Sequence, residues 1–257
     1  MMPLALITGG QQGIGLGSAT ALVAAGFRVA LAAELDANHP TVAKALSLLG
    51  NQARYFCHDL ADVAGIPALL NRVEAEMGPI HTLVQNAGVA ARQRGDILDI
   101  TPENFDHVTD INLRGAFFLA QGVARRMLAQ DLAQDLAQQY RSIIFITSVS
   151  AQMASVERAD YCISKAGAAM AAKALALRLA PKGIGVFELR PGIIETGMTA
   201  GVKDTYTARI EAGLVPAGRW GQPGDIGAVI VPLATGQFAF ATGAVIPVDG
   251  GLSMERL

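Results

Sequence analysis

The chain has 257 residues, of which 51% are hydrophobic and 16% are charged, and its formal net charge is −2 at pH 7. This composition excludes an intrinsically disordered chain, and the length suits one domain with a large buried core. A charge so close to zero gives no electrostatic basis for binding nucleic acid or an anionic membrane.

Short apolar segments alternate with longer helical patterns along the whole chain. The predicted strands cover residues 3–8, 27–33, 53–58, 81–86, 142–147, 185–190 and 244–249. The predicted helices cover residues 14–25, 40–50, 64–77, 103–139, 159–180 and 224–235. Most of the strands are continuous apolar runs, which is typical of a sheet covered on both faces. The alternation predicts a single α/β domain with a doubly wound parallel sheet.

A glycine-rich segment, TGGQQGIGLG, lies between the first predicted strand and the first helix. Gly9, Gly13 and Gly15 would let the backbone turn sharply and approach a ligand closely. The start of the following helix would offer unpaired N–H groups and a positive dipole to a pyrophosphate. The spacing differs from the common dinucleotide fingerprint. Its position nevertheless favours dinucleotide binding over a simple strand-to-helix corner.

The segment LAQDLAQDLAQQ places Leu128, Leu132 and Leu136 four residues apart. This spacing predicts a helix that packs its leucines on the core, with a partner-binding stripe as the alternative. The N-terminus lacks the basic region of a signal peptide, and no apolar run reaches the ~20 residues of a membrane-spanning helix. We therefore expect no membrane association.

The predicted helix over 159–180 carries Tyr161 and Lys165 in a sequence that is otherwise small and apolar. Residues four apart lie on one face of a helix. A tyrosine hydroxyl normally titrates near ~10, and a neighbouring cation favours the phenolate. The two residues could form a tunable acid and base, or they could be two ordinary surface side chains.

Further motifs follow the glycine-rich turn in a fixed order. They are QNAG (85–88), Asn112 in INLRG, Ser148 in ITSVS, YCISK (161–165), RPGIIET (190–196) and TGAVIPVDGG (242–251). Over essentially its whole length the sequence resembles the short-chain dehydrogenase/reductase family, especially members labelled 3-oxoacyl-carrier-protein reductase. The resemblance implies a Rossmann-type sheet of seven parallel strands with helices on both faces. It also implies an NAD(P)(H)-dependent oxidoreductase that interconverts a secondary alcohol and a ketone.

The resemblance assigns the catalytic roles to four residues. Tyr161 would be the general acid/base, and Lys165 would hold the nicotinamide ribose and lower the pKa of the tyrosine. Ser148 would hydrogen-bond the substrate oxygen, with Ser150 as the alternative for that role. Asn112 would hold a water that connects Lys165 to solvent, unless it only caps or bends its own helix.

The resemblance also implies the residues that contact the cofactor. Asp59 would meet the adenine amino group, although it could instead be a helix cap or a turn acid. Ile194 and Thr196 would meet the nicotinamide carboxamide. The full implied set is Gly9, Gln12, Gly13, Ile14, Gly15, Glu34, Asp59, Leu60, Asn86, Ala87, Gly88, Tyr161, Lys165, Pro191, Ile194 and Thr196.

The end of the second predicted strand bears on the choice between NAD and NADP. A carboxylate there bonds the ribose 2′-hydroxyl, whereas a basic residue accepts a 2′-phosphate. Ala33 stands where NAD-dependent relatives carry aspartate, so Glu34 would reach the ribose only through a one-residue bulge. No lysine or arginine follows before Lys44. Gln11 and Gln12 occupy positions where NADP-dependent relatives often carry a base, so we expect NAD(H).

Substrate contacts are expected from residues 150–160 and from a mobile helical lid near 197–220. The predicted substrate-binding residues are Ser148, Gln152, Glu157 and Tyr161. Gln152, Glu157 and Arg158 would suit a polyol or sugar-like substrate, unless they are ordinary surface residues. The alternatives are a 3-oxoacyl thioester and a non-catalytic dinucleotide-binding protein.

Family members mostly form tetramers, so the resemblance implies a homotetramer. The helices over 103–139 and 159–180 would pair across one interface, and the last strand across another. The two cysteines, Cys57 and Cys162, are too few for a disulfide framework and lack metal-site spacing. We expect reduced thiols in a cytoplasmic protein.

Overall fold

The computed structural model describes residues 2–129 and 140–255, and in it seven parallel strands form one sheet. The strands are β1 (Leu4–Thr8), β2 (Arg28–Ala33), β3 (Ala53–Cys57), β4 (Thr82–Gln85), β5 (Arg141–Ile146), β6 (Ile184–Pro191) and β7 (Val245–Val248). Their order is β3-β2-β1-β4-β5-β6-β7. The order reverses between β1 and β4, which is where doubly wound sheets bind ligands, outside the carboxyl ends of the strands. The predicted sheet is confirmed.

Helices cover both faces of the sheet. They are α1 (Gly13–Ala24), α2 (Pro40–Leu49), α3 (Ile66–Met77), α4 (Pro102–Thr109), α5 (Ala116–Ala129), α6 (Ala159–Leu179), α7 (Lys203–Glu211) and α8 (Pro223–Ala234). Alternate residues of β1 serve the two faces. Leu4 and Leu6 are buried with α3, α5 and α6, whereas Ala5 and Ile7 are buried with α1, α2 and α8. Both layers predicted from the apolar strands are therefore present.

The segment predicted as one helix over 103–139 is divided, which corrects that prediction. A π-helical turn, Asp110–Gly115, separates α4 from α5. A Cβ atom at Gly115 would lie 2.1 Å from the carbonyl oxygen of Leu60, so the chain approaches the turn after β3 closely here. Such widened turns are frequent at functional sites.

The leucine repeat is only partly visible in the fold. Leu128 is partly buried and packs against the cluster that α3, α5 and α6 form. Leu132 and Leu136 lie outside the described residues. None of the helices in the described part of the chain is both long and apolar enough to cross a membrane.

Candidate active site

A cleft of about 1460 Å³ opens along the carboxyl ends of the central strands. It brings together most of the residues that the sequence analysis selected. Those that line it are Gly9, Gln12, Gly13, Ile14, Glu34, Asp59, Leu60, Asn86, Ala87, Gly88, Ser148, Glu157, Tyr161, Lys165, Pro191, Ile194 and Thr196. Gly15, Asn112 and Gln152 do not line it. Gly15 and Asn112 instead contact the backbone of segments that form the cleft wall, and Gln152 bonds Arg190.

The glycine-rich turn has the conformation that a phosphate site needs. Gly9 and Gly13 have φ angles of +64° and +52°, in the left-handed region that favours glycine. A Cβ atom at Gly15 would lie 2.1 Å from the carbonyl oxygen of Gly9, so Gly15 permits close packing of α1 on the turn. The first turn of α1 has neither a side-chain cap nor an acidic residue. Its N–H groups are therefore available to a pyrophosphate.

The turn after β4 is locked to the glycine-rich turn. The hydroxyl oxygen of Thr8 accepts hydrogen bonds from the backbone N–H groups of Asn86 and Ala87, each at 2.9 Å. The Asn86 side chain donates to the Thr8 carbonyl at 2.9 Å, so this asparagine holds the two turns together. A Cβ atom at Gly88 would lie 3.2 Å from the Lys165 Nζ atom. Glycine there leaves the lysine room beside the cleft.

The end of β2 is held by a tyrosine from the neighbouring strand. The Tyr55 hydroxyl lies 2.9 Å from the Ala33 carbonyl oxygen and 2.7 Å from that of Leu35, so its hydrogen bond is shared between them. Burial, followed by the nearby Cys57 and Glu34, raises the pKa of Tyr55, which keeps this donor protonated. β2 pairs regularly with β3 through Ala33, so the bulge considered for Glu34 is not present. Glu34 is exposed at the rim of the cleft.

Asp59 fits both of the roles considered for it. One carboxyl oxygen accepts a hydrogen bond from the Ala61 backbone N–H at 2.9 Å, which makes it a turn acid. The residue also borders the cleft, next to the buried Leu60. The neighbouring His58 lines the cleft as well, and burial lowers its pKa. No sequence motif had indicated His58.

Ser148 and Tyr161 meet at the deep end of the cleft. Ser148 follows β5 directly, and its hydroxyl oxygen accepts a hydrogen bond from the Ser150 backbone N–H at 3.1 Å. Burial raises the pKa of Tyr161, while a hydrogen bond with Ser148 and the charge of Arg158 act in the opposite direction. The pairing with Tyr161 favours Ser148 over Ser150 as the group that would meet a substrate oxygen.

Lys165 lies one helical turn from Tyr161 and is 5% exposed. Its ammonium donates a hydrogen bond to the Ile146 carbonyl at 3.2 Å and lies 5.6 Å from the centre of the Tyr161 ring. Burial lowers the pKa of Lys165 to about 8. The lysine was expected to lower the pKa of the tyrosine, but burial has the larger effect and raises it. Burial disfavours the charged form of both groups.

The Asn112 side chain anchors the loop after β4. Its Oδ1 accepts a hydrogen bond from the Val89 N–H at 2.8 Å, and its Nδ2 donates to the Val89 carbonyl at 2.9 Å. Its Nδ2 also donates to the Ser164 hydroxyl at 3.2 Å. Asn112 therefore ties α6 to the cleft wall, and its expected role in holding a water stays a prediction.

Asp160 is a buried residue of the site that the sequence analysis missed. One carboxyl oxygen accepts from the Tyr161 backbone N–H at 2.7 Å, and the other accepts from the Asn104 side chain at 2.8 Å. Asn104 in turn accepts from the Arg92 N–H at 3.0 Å. This clamp fixes the start of α6, and thus Tyr161, against α4. An acidic residue in the first turn of a helix was the available signal.

The substrate end of the cleft differs from the expectation for polar contacts. The Gln152 Oε1 atom accepts a hydrogen bond from Arg190 at 2.8 Å, and Arg190 is paired with Glu188 at 2.7 Å. Gln152 is thus directed away from the cleft. The apolar residues around the mouth are Met153, Met198, Val202, Tyr206, Leu214 and Leu252. Met198, Val202 and Tyr206 lie four residues apart along the helical turn Gly197–Val202 and α7, whereas Met153, Leu214 and Leu252 come from separate segments.

The arrangement suits reversible hydride transfer. A bound nicotinamide dinucleotide would supply or accept the hydride. The glycine-rich turn and the turn after β4 would hold its phosphates and adenosine, and Pro191, Ile194 and Thr196, which line the same cleft, would contact the nicotinamide. Ser148 and Tyr161 would present two hydroxyl groups to one substrate oxygen, and Tyr161 would move the proton.

Comparisons with known proteins agree with this geometry. Residues 9–253 match the family model described as enoyl-(acyl carrier protein) reductase. The 3-oxoacyl-[acyl-carrier-protein] reductase MabA of Mycobacterium tuberculosis is 33% identical over 97% of this chain and 92% of its own length. The 2-dehydro-3-deoxy-D-gluconate 5-dehydrogenase of Escherichia coli is 32% identical over 96% of this chain and 94% of its own.

A solved structure is closer in sequence. It is a 3-oxoacyl-[acyl-carrier protein] reductase from Brucella melitensis in complex with NAD, with 49% identity and a TM-score of 0.94. The match covers 100% of this chain and 99% of that one. Fold, cleft and relatives agree on an oxidoreductase that uses a nicotinamide dinucleotide. The chain belongs to the short-chain dehydrogenase/reductase family.

Proposed function

We propose that the protein is an NAD(H)-dependent 3-oxoacyl-thioester reductase. The observation that carries this proposal is the apolar mouth of the cleft, formed by residues that include Met153, Met198 and Leu252. Such a wall suits an acyl chain, which the apolar side chains would cover. The names of MabA and of the Brucella protein support the same substrate class.

The polyol or sugar-like substrate favoured by the sequence keeps only part of its structural support, because Glu157 and Arg158 line the cleft but Gln152 does not. It relied on polar groups at the mouth, and Gln152 is bonded to Arg190 outside the cleft. Glu157 does line the cleft, and the gluconate-related dehydrogenase among the relatives keeps this substrate class as the alternative.

In the proposed reduction, Ser148 and Tyr161 hold the ketone oxygen and Tyr161 gives it a proton. The raised pKa of Tyr161 keeps the hydroxyl protonated near neutral pH, as an acid requires. Lys165, positioned against the Ile146 carbonyl, would hold the nicotinamide ribose. Asp160 and Asn112 would keep α6 in place during the reaction.

The substrate class is tested by the absorbance of reduced nicotinamide. We expect the N-acetylcysteamine thioester of 3-oxobutanoate to be reduced with NADH, and polyols with NAD⁺ to be turned over at least ~10-fold less efficiently. Turnover of polyols or sugar acids without turnover of the thioester would contradict the proposal. Tight NADH binding without turnover of any substrate would favour the non-catalytic alternative.

The choice of NAD(H) is a second prediction. Glu34 borders the cleft beyond β2. Without the bulge it is not aligned to bond the ribose 2′-hydroxyl, but its negative charge would repel a 2′-phosphate. We expect kcat/KM to be about 10-fold or more higher with NADH than with NADPH, which corresponds to about 1.4 kcal/mol of repulsion. Glu34→Gln should remove most of this preference. Asp36→Asn, in the same loop but outside the cleft, should leave it unchanged.

We also propose a homotetramer. Ile163, Met170 and Leu177 on α6 are 48%, 63% and 82% exposed and lie seven residues apart, so they form one apolar stripe. Phe240, just before β7, is fully exposed. Both surfaces coincide with the two interfaces that the sequence predicts.

The assembly is measured by light scattering at micromolar concentration. The wild type should have the mass of four chains. The Leu177→Glu variant should form dimers or monomers, because the tetramer would bury the new carboxylate in the interface. Leu48→Glu, on the exposed face of α2, serves as the control and should stay tetrameric. A wild-type monomer would contradict this prediction.

A cytoplasmic location is part of the proposal. Cys57 and Cys162 are both free thiols. Free thiols are typical of proteins in reducing compartments.

A further inference from the structure

Arg158 is a half-buried charged group in the cleft to which the proposed reaction assigns no substrate contact. It ends a short helical turn, Val156–Arg158, directly before α6. Its guanidinium carbon lies 6.0 Å from the centre of the Tyr161 ring. It lines the same cleft as Ser148 and Tyr161. The charge therefore lies beside the position of the reacting carbonyl group.

No carboxylate of the described residues, 2–129 and 140–255, forms an ion pair with Arg158. The acid nearest to Tyr161, Asp160, is bonded to Asn104 and to a backbone N–H. By contrast, Arg190 behind the cleft is paired with Glu188 at 2.7 Å. Arginine stays charged at all physiological pH values, and its planar fork suits a carboxylate. The unpaired guanidinium in the cleft therefore has N–H donors that can hydrogen-bond to a ligand.

We propose that Arg158 binds the carboxyl group of the substrate, so that the enzyme also reduces free 3-oxo acids. This inference rests on the proposed function. With the ketone oxygen held by Ser148 and Tyr161, a single methylene group separates the ketone from the carboxyl carbon. The carboxyl group must then lie close to Tyr161, which is where the guanidinium is.

The two forms of the substrate make different bonds with Arg158. An uncharged thioester carbonyl accepts a single hydrogen bond from the guanidinium, whereas a carboxylate carries the opposite charge and accepts two parallel bonds. The apolar mouth remains available to the alkyl end of either substrate. In both reactions the ketone carbon gains the hydride from the reduced dinucleotide, its oxygen gains the proton of Tyr161, and the carboxyl group is unchanged.

The test compares 3-oxobutanoate with its methyl ester and its N-acetylcysteamine thioester, using the wild type, Arg158→Gln and Arg158→Lys. We expect the wild type to prefer the acid over the methyl ester by about 10-fold or more. Arg158→Gln should lower kcat/KM for the acid by about 10- to 100-fold, mainly through KM, and change that for the ester by less than ~3-fold. Arg158→Lys should keep part of the preference, because it keeps the charge.

A matched control is Arg54→Gln. This substitution removes the same charge from the edge strand β3. The Arg54 side chain is 62% exposed and does not line the cleft. It should leave all three substrates unaffected. Should Arg158→Gln fold poorly, the ratio of acid to ester in the wild type still decides the matter.

Several results would overturn the inference. An equal loss for acid and ester in Arg158→Gln would mean that Arg158 acts only through Tyr161. A wild type without preference for the acid, or one that reduces the thioester but not the acid, would refute this inference and leave the proposed function intact. Failure to reduce any of the three compounds would refute both.

Discussion

Replacing Tyr161 with phenylalanine is expected to lower kcat/KM for ketone reduction by about 100- to 10,000-fold, the contribution of a positioned general acid. The substitution removes one hydroxyl group from the end of the cleft where Ser148 and Tyr161 meet. The ring and its contact with Lys165 are retained. NADH binding should therefore change little, as a fluorescence titration of the reduced cofactor would measure.

Tyr140→Phe is the matched control for this prediction. It removes the same atom from a half-buried tyrosine that immediately precedes β5, at the opposite end of the sheet from the cleft. The Tyr140 hydroxyl is buried without a hydrogen-bond partner among the described residues, so its removal should cost little. Full activity in Tyr161→Phe would show that another group gives the proton. A loss of NADH binding would show that the variant disturbs the cofactor site instead.

The direction of the Tyr161 pKa shift explains why this hydroxyl acts as an acid in the reduction. Burial raises the pKa of Tyr161, so the hydroxyl begins a reduction as an acid. In the oxidation direction the phenolate must form, and nearby positive charge then has to offset burial. The charge of Arg158 already acts to lower the pKa of Tyr161, and a charged Lys165 would lower that pKa further.

The sheet and the phosphate turn could be predicted from the sequence because each depends on local signals. Continuous apolar runs identified most of the strands, since β1 and its neighbours are covered on both faces. The glycine-rich turn was identified because Gly9 and Gly13 need φ angles that other residues rarely adopt. The resemblance placed Ser148, Tyr161 and Lys165 together, and the fold brings them to one end of the cleft.

Contacts between segments distant in the sequence could not be predicted. The division between α4 and α5 depends on Gly115 meeting the backbone of Leu60, and no helical periodicity records that contact. Gln152 is directed away from the cleft because it bonds Arg190 on β6. The clamp between Asp160 and Asn104 joins residues 56 positions apart. Such partners become visible only when the fold has placed them side by side.

Replacing Lys165 with methionine is expected to lower kcat/KM by at least ~100-fold and also to change how stability depends on pH. The ordinary pKa of 10.5 falls to about 8 because the ammonium is buried. Between these values the unfolded chain binds more protons than the folded one, so the free energy of unfolding of the wild type rises with pH. Each pKa unit is ~1.4 kcal/mol, so the buried ammonium costs about 3 kcal/mol below pH 8.

The measurement is urea unfolding at pH 7 and pH 10, at one protein concentration and without cofactor. Relative to Lys165→Met, the wild type should gain about 2–3 kcal/mol between these values. Lys173→Met, on the exposed side of the same helix, should show no such difference from the wild type. Parallel pH curves for the wild type and Lys165→Met would contradict the prediction.

A positive result would show what the buried charge of Lys165 contributes to catalysis. The folded protein would hold an ammonium at an energetic cost near neutral pH, next to a tyrosine whose ionisation is equally disfavoured by burial. Because opposite charges attract strongly in a buried site, each group would stabilise the charged form of the other. The cost of burying Lys165 would then be recovered when the phenolate forms, and this would favour the proton transfer that the reaction requires.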